Sequence, residues 1–188
     1  LGSVLPDWTA GVSNTFRIGG FTLSGLIDMR KGGHLFSTTH MFGSYTGIFA
    51  ETAGENDRGG ELRGDPAENG GIRYEDAVVG EIDAEGNVTV LSETNENYID
   101  LQTWGLYHYF VKGTNVFETD FFKLREVSLA YTLPSKWFST IPVQGATVSV
   151  VGRNLYMWGT KVPHIDPEHT TNGGNIQGLE GGTTPTTR

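Results

Sequence analysis

The sequence predicts an all-β chain organised around four long antiparallel strands, and three observations carry that expectation. Apolar and polar side chains alternate with a period of two over Phe21–Arg30 and again over Glu126–Leu133, the repeat that sends successive side chains to opposite faces of a strand. Turn chemistry brackets these runs, with Gly19-Gly20 before the first and Pro134 after the second, because proline offers no N–H to a ladder. Composition agrees: 27 glycines, 11% aromatic residues and no cysteine in 188 residues suit a turn-rich β chain.

Taken in order, residues 1–7 form an extended lead-in and residues 8–17 the first strand, which carries Gly11 and ends at the turn Ile18-Gly19-Gly20. The second strand, 21–33, is the cleanest. Phe21, Leu23, Gly25, Ile27 and Met29 share one face, while Thr22, Ser24, Leu26, Asp28 and Arg30 share the other, with Leu26 the single apolar exception. Asp28 and Arg30 lie two residues apart and project together as a polar pair. In the third strand, 121–133, Val127, Leu129, Tyr131 and Leu133 alternate with Glu126, Ser128, Ala130 and Thr132. The fourth, 146–158, sets Val148 and Val150 against Thr147, Ser149 and Val151. Alternation fails near one end of this last pair: Lys123 and Arg125 share parity with Val127, and Asn154 shares it with Val150. A bulge shifts parity in this way, and so does a strand that continues past the apolar band into water.

The interval 34–119 reads as a long loop without an amphipathic helix of useful length. Within it, Val78–Leu91 carries a hairpin signal around Asp83-Ala84-Glu85-Gly86-Asn87. Tyr98–Val111 is rich in aromatic residues and reads as a short helix or an irregular loop. Connections at 18–20 and 134–145 are short, whereas 34–119 and 159–188 are long. Phe121–Leu133 and Ala146–Trp158 are 13 residues each, so at ~3.3 Å per residue and ~40° tilt each covers roughly 33 Å along a barrel normal. That exceeds the apolar band of roughly 25 Å in outer-membrane barrels. The fold class expected is therefore an antiparallel transmembrane β-barrel segment of about four strands, near 8–17, 21–33, 121–133 and 146–158. Its loops 34–119 and 159–188 are expected to be extracellular, by the asymmetry of loop lengths.

Several blocks resemble one family in the same order. Phe122-Lys123-Leu124-Arg125-Glu126-Val127-Ser128-Leu129-Ala130-Tyr131-Thr132-Leu133-Pro134 is similar to a strand near the C-terminus of SusC/RagA-type TonB-linked outer-membrane transporters. Gly152-Arg153-Asn154-Leu155-Tyr156 followed by Asp166-Pro167-Glu168 resembles that family's next strand and loop. Leu5-Pro6-Asp7-Trp8, Asp28-Met29-Arg30-Lys31-Gly32-Gly33, and Glu51-Thr52-Ala53 with Arg58 resemble further blocks. The resemblance implies the C-terminal part of a 22-stranded barrel, whose plug and TonB-contacting segment lie outside these residues. It also implies a SusD-like surface lipoprotein as partner and import of glycans or peptides across the outer membrane of a Gram-negative bacterium. Family members continue through one more strand that closes the barrel. The chain begins at Leu1 without a charged-then-apolar leader, which reads as an internal or processed piece.

Charge narrows the function classes. Net charge is −9, and residues 51–100 hold 14 acidic and 3 basic side chains, or −11. Nucleic-acid binding needs clustered Lys and Arg and is not expected. The five histidines show no i, i+4 pair and no accompanying cysteine, so neither a zinc site nor another cofactor is expected. Asp83, Glu85 and Asn87 alternate like oxygen ligands for Ca²⁺, but a plain hairpin turn accounts for them. No nucleophile elbow, P-loop or dinucleotide fingerprint occurs, and no enzymatic activity is expected.

The candidate ligand-binding residues are Trp104, Tyr107 and Tyr109, whose flat apolar rings stack on sugars or anchor peptide side chains. Packing within the loop accounts equally for Trp104 and Tyr107. Tyr131, Tyr156 and Trp158 fit an interfacial aromatic girdle. Expected lumen-facing polar residues are Asp28, Arg30, Glu126 and Ser128. Phe21, Leu23, Ile27, Val127, Leu129, Tyr131, Val148 and Val150 are expected to face lipid. The alternative is a soluble β-sandwich that binds carbohydrate, which shares the alternation and the aromatic residues but not the long strands or the two-sided loop asymmetry.

Overall fold

The computed structural model describes residues 2–75, 77–139, 142–143, 145–170 and 176–181. The expected turn at 134–145 and the loop 159–188 therefore fall partly outside the described residues. In chain order the strands are β1 (Trp8–Ile18), β2 (Phe21–Lys31), β3 (His34–Ser37), β4 (Val79–Ile82), β5 (Val88–Ser92), β6 (Val116–Glu118), β7 (Phe121–Thr132), β8 (Thr147–Trp158) and β9 (Leu179–Glu180). Two α-helices join them, α1 (Thr38–Thr46) and α2 (Leu101–Phe110). Strands dominate the regular structure. The chain divides into two compact units, Leu1–Thr39 with Val116–Arg188, and His40–Asn115.

The first unit is built on an open four-stranded sheet in the order β1-β2-β7-β8, every neighbouring pair antiparallel. β1 and β2 are joined through Gly19-Gly20, where Gly19 takes φ +57°, the left-handed conformation that glycine enters without a Cβ penalty. Register then aligns the apolar residues. Phe16 pairs with Leu23, Leu23 with Leu129, and Leu129 with Val150. One row further, Ile18, Phe21, Tyr131 and Val148 stand side by side. Directly paired residues share a face, so these rows form one apolar face. Leu23, Leu129 and Val150 on it are 45%, 49% and 74% exposed. The opposite face is mainly polar, with Thr15, Ser24, Ser128 and the apolar exception Val151 in one row and the Ser24 and Ser128 hydroxyls 2.7 Å apart.

The parity break near Arg125 is a bulge. β2 pairs Leu26 with Glu126 and Ile27 with Leu124, which leaves Arg125 as the extra residue. β8 answers on the other side, pairing Arg153 with Glu126 and Tyr156 with Leu124 around Asn154 and Leu155. Asn154 takes φ +49°, a conformation asparagine tolerates better than most residues. The bulge carries Phe122 and Leu124 onto the apolar face and turns Lys123 onto the polar one.

Both long connections also hold short strands that the local pattern did not mark. β3 pairs antiparallel with β6 and parallel with β9, so both long connections contribute to a second, three-stranded sheet. Leu35, Val162 and Ile165 bury themselves beneath it with Phe117 packed alongside. The carboxylate of Glu180 is buried and accepts hydrogen bonds from the Ser37 hydroxyl and from the Thr39 amide and hydroxyl, each at 2.9 Å. It thereby satisfies an amide at the start of α1 that the helix itself leaves free.

In the second unit, the Tyr98–Val111 stretch forms a short helix, the ten residues of α2, and the nine residues of α1 add a helix that the sequence pattern did not mark. Neither carries a clear amphipathic period, so close packing stabilises them rather than a broad apolar stripe. A Cβ on Gly105 would stand 2.8 Å from the Tyr45 carbonyl oxygen and 3.0 Å from its Cα. Only glycine lets α2 approach α1 this closely. Asp100 caps α2, accepting from the Thr103 amide at 2.9 Å and its hydroxyl at 2.7 Å. β4 and β5 form a separate hairpin.

Candidate functional site

Two groups of side chains stand out, one in each unit. On the polar face of the large sheet, the segment after β8 folds back so that Asp166 and Glu168 meet the bulged part of β7. Lys123 Nζ donates to Asp166 Oδ2 at 2.5 Å and to Glu168 Oε2 at 2.6 Å. Arg125 donates through Nε to Asp28 Oδ2 at 2.6 Å, and through its other nitrogens to Glu168 and to Asn154 Oδ1. Two cations thus face three carboxylates. The Lys123 side chain is 6% exposed, which its pairing with two carboxylates makes tolerable. Asp166 also accepts from the Glu168 amide at 3.0 Å, an Asx turn that presents both carboxylates together. Beside this network lies a cleft of about 650 Å³ lined by Leu155, Tyr156, Met157, Val162 and Ile165 as well as the charged groups.

The expected polar residues lie on this same face. Asp28 joins the network through Arg125. Glu126 accepts from Arg153 Nε at 3.0 Å, and the Ser128 and Ser24 hydroxyls are hydrogen-bonded to each other. Arg30 reaches the Val4 carbonyl at 3.4 Å. Lys123, Arg125, Asp166 and Glu168 were not among the sequence candidates. Their signal was the parity break at 123–125 together with the Asp-Pro-Glu block.

On the apolar face, aromatic rings gather at two levels. Phe122 stacks on Trp158 at 5.6 Å and Tyr156 on Trp158 at 5.9 Å. At the opposite end Phe21 meets Tyr131 at 4.5 Å. Phe122 and Tyr131 are nine residues apart on β7, or roughly 26–30 Å along the strand once the bulge is allowed for.

In the second unit the sequence candidates separate. Trp104 packs on His108 with centroids 4.3 Å apart, and both surround Tyr74, whose ring also lies 5.2 Å from Tyr107. Tyr109 turns instead toward α1, 5.8 Å from Phe42 and 5.3 Å from Tyr45, with Lys112 Nζ 4.4 Å over its ring. Trp104 and Tyr107 are therefore brought together, and Tyr109 is held apart. Burial pushes the His108 pKa down to about 4, and the nearby His40 ring adds to the effect, while Glu51 opposes it. Among the described residues, both ring nitrogens of His108 and the Tyr74 hydroxyl are buried without a hydrogen-bond partner. Burial, then Tyr107, raises the Tyr74 pKa.

The Asp83 carboxylate is committed to its turn, accepting from the Glu85 amide at 3.1 Å, the Asn87 amide at 2.8 Å and the Asn87 side chain at 2.8 Å. Among the described residues, no group of three or more His, Cys, Asp or Glu side chains is placed to share a metal ion. No described helix is long and apolar enough to cross a membrane, which says nothing of strands.

No family model and no curated protein matches the chain. Solved structures do. The chain is similar to the RagAB peptide importer in its open-open state, with a TM-score of 0.50, and in its closed-closed state, with a TM-score of 0.54. A structure of the RagAB peptide transporter also gives a TM-score of 0.54. In each case identity is 18%, with 98% of this chain covered and 16% of the other. At that identity the likeness carries the fold, and this chain spans about one sixth of the length of the chains it matches.

Proposed function

We propose that the chain is part of the β-barrel of an outer-membrane TonB-dependent transporter that imports peptides or glycans together with a SusD-like surface lipoprotein. The carrying observation is the two-faced sheet. Its apolar face runs across four strands in register, with Asn14 breaking one interior row, and stays exposed. Aromatic clusters bound it at a spacing close to the roughly 25 Å apolar band of such barrels. A soluble sandwich would cover Leu23, Leu129 and Val150 with a second sheet. Lipid covers them in the transporter reading, and the open edges of β1 and β8 pair with neighbouring strands of the longer chain. The likeness to the RagAB structures supports the same reading at the level of fold.

In this reading the polar face lines the lumen, and Lys123 and Arg125 hold the 159–170 segment against it. Chemistry plays no part, because the segment contributes binding and scaffolding rather than catalysis. The interval 34–119 lies outside the cell and helps form the lipoprotein interface or the ligand cavity, since recognition falls to loops where strands are fixed by lipid. Trp104 and Tyr107 then supply apolar rings for a neutral glycan or a peptide side chain.

Deleting residues 55–95 in the full-length protein tests the assignment. The barrel is expected to insert normally, while uptake of the native substrate is lost or the lipoprotein dissociates. Wild-type uptake with an intact complex would reduce the interval to a passive solvated loop.

A further inference from the structure

The β4–β5 hairpin is built to meet something. Register sets Ile82 opposite Val88 and Gly80 opposite Val90, so Ile82, Val88 and Val90 share one face, while Glu81 and Thr89 occupy the other. Ile82, Val88 and Val90 are 73%, 62% and 46% exposed. Among the described residues the hairpin pairs with no third strand, and an isolated two-stranded ribbon is marginal in water. Its turn, by contrast, is firmly closed by the three hydrogen bonds to Asp83. The hairpin is thus held in shape from its tip, with an apolar face uncovered.

Charge selects the occupant. Residues 74–111 contain eight carboxylates and no lysine or arginine. Four of these, Glu81, Asp83, Glu85 and Glu93, lie in the hairpin stretch 78–93, so a second copy would set four carboxylates against four, and an anionic lipid surface would repel them similarly. We propose that the hairpin is a docking arm whose Ile82, Val88 and Val90 seat on an apolar strip rimmed by Lys and Arg on the surface lipoprotein. The identity of that partner rests on the function proposed above. The apolar strip supplies the contact area, and the basic rim speeds and orients the encounter with Glu81 and Glu85.

The test uses the full-length transporter in its native membranes, with the photoreactive amino acid benzoylphenylalanine at position 88 or at position 89. Illumination is expected to crosslink position 88 to the co-purifying lipoprotein, at least tenfold more than position 89, at a peptide carrying apolar residues flanked by Lys or Arg. Ile82→Glu should raise the dissociation constant of the complex at least tenfold. Glu81→Lys with Glu85→Lys should flatten its salt dependence while leaving the apolar face intact. A co-purifying lipoprotein that crosslinks equally from both positions, or an adduct only within the transporter chain or with a second copy, overturns the docking arm and leaves the transporter reading standing. Absence of any co-purifying lipoprotein with the wild-type protein overturns both.

Discussion

Lys123 Nζ on β7 lies 2.6 Å from Glu168 Oε2, a carboxylate 45 residues further along the chain. The contact exists because one extra residue, Arg125, shifts the phase of β7. Without the bulge, Lys123 would share the face of Val127 and Leu129. With it, an ammonium group that would otherwise sit on the apolar face instead holds the Asp166-Pro167-Glu168 segment.

Asp166→Asn with Glu168→Gln leaves the Lys123 charge buried without its anions. Losing one side of a buried pair costs about 3–5 kcal/mol. Here the acids are a third exposed, so about 2–3 kcal/mol is expected. Hydrogen exchange in full-length protein should show amides of 160–170 exchanging at least tenfold faster. Adding Lys123→Met should recover most of the loss, and no recovery would mean that the charge network does not hold the segment.

Leu129 and Ser128 are neighbours on opposite faces of β7. Leu129→Arg is expected to cost about 2–4 kcal/mol in a liposome folding assay on the full-length protein, against little for Ser128→Arg. Equal costs at the two positions would count against lipid on the apolar face.

His108 is expected to make the second unit sensitive to acid. Its folded pKa is about 4, against about 6.5 in an unfolded chain, so the unfolded state takes up the proton first. The stability of this unit should therefore be intact above about pH 6.5 and fall progressively down to about pH 4. Allowing for partial solvent screening, the loss should be about 1–2 kcal/mol. Amide exchange in α2, corrected for intrinsic rates, should report it between pH 7 and pH 4.5. His108→Phe should flatten the profile, and an unchanged profile would assign the acid sensitivity elsewhere.

The sequence alone determined the elements whose pattern is local. Alternation marked the strand interiors, and Gly19 and Pro134 marked the turns. The same alternation separated Asp28, Arg30, Glu126 and Ser128 from the apolar set, because a period of two assigns faces without any knowledge of neighbours. Tertiary structure alone decided what depends on distant partners. Whether Lys123 joined the apolar face or met Glu168 turned on a bulge defined by two neighbouring strands. α1 and α2 lack a strong helical period and exist because Gly105 admits the backbone of Tyr45. The separation of Tyr109 from Trp104 and Tyr107 followed from which ring each met across α1 and Tyr74, and packing between segments remote in sequence leaves no periodic trace along the chain.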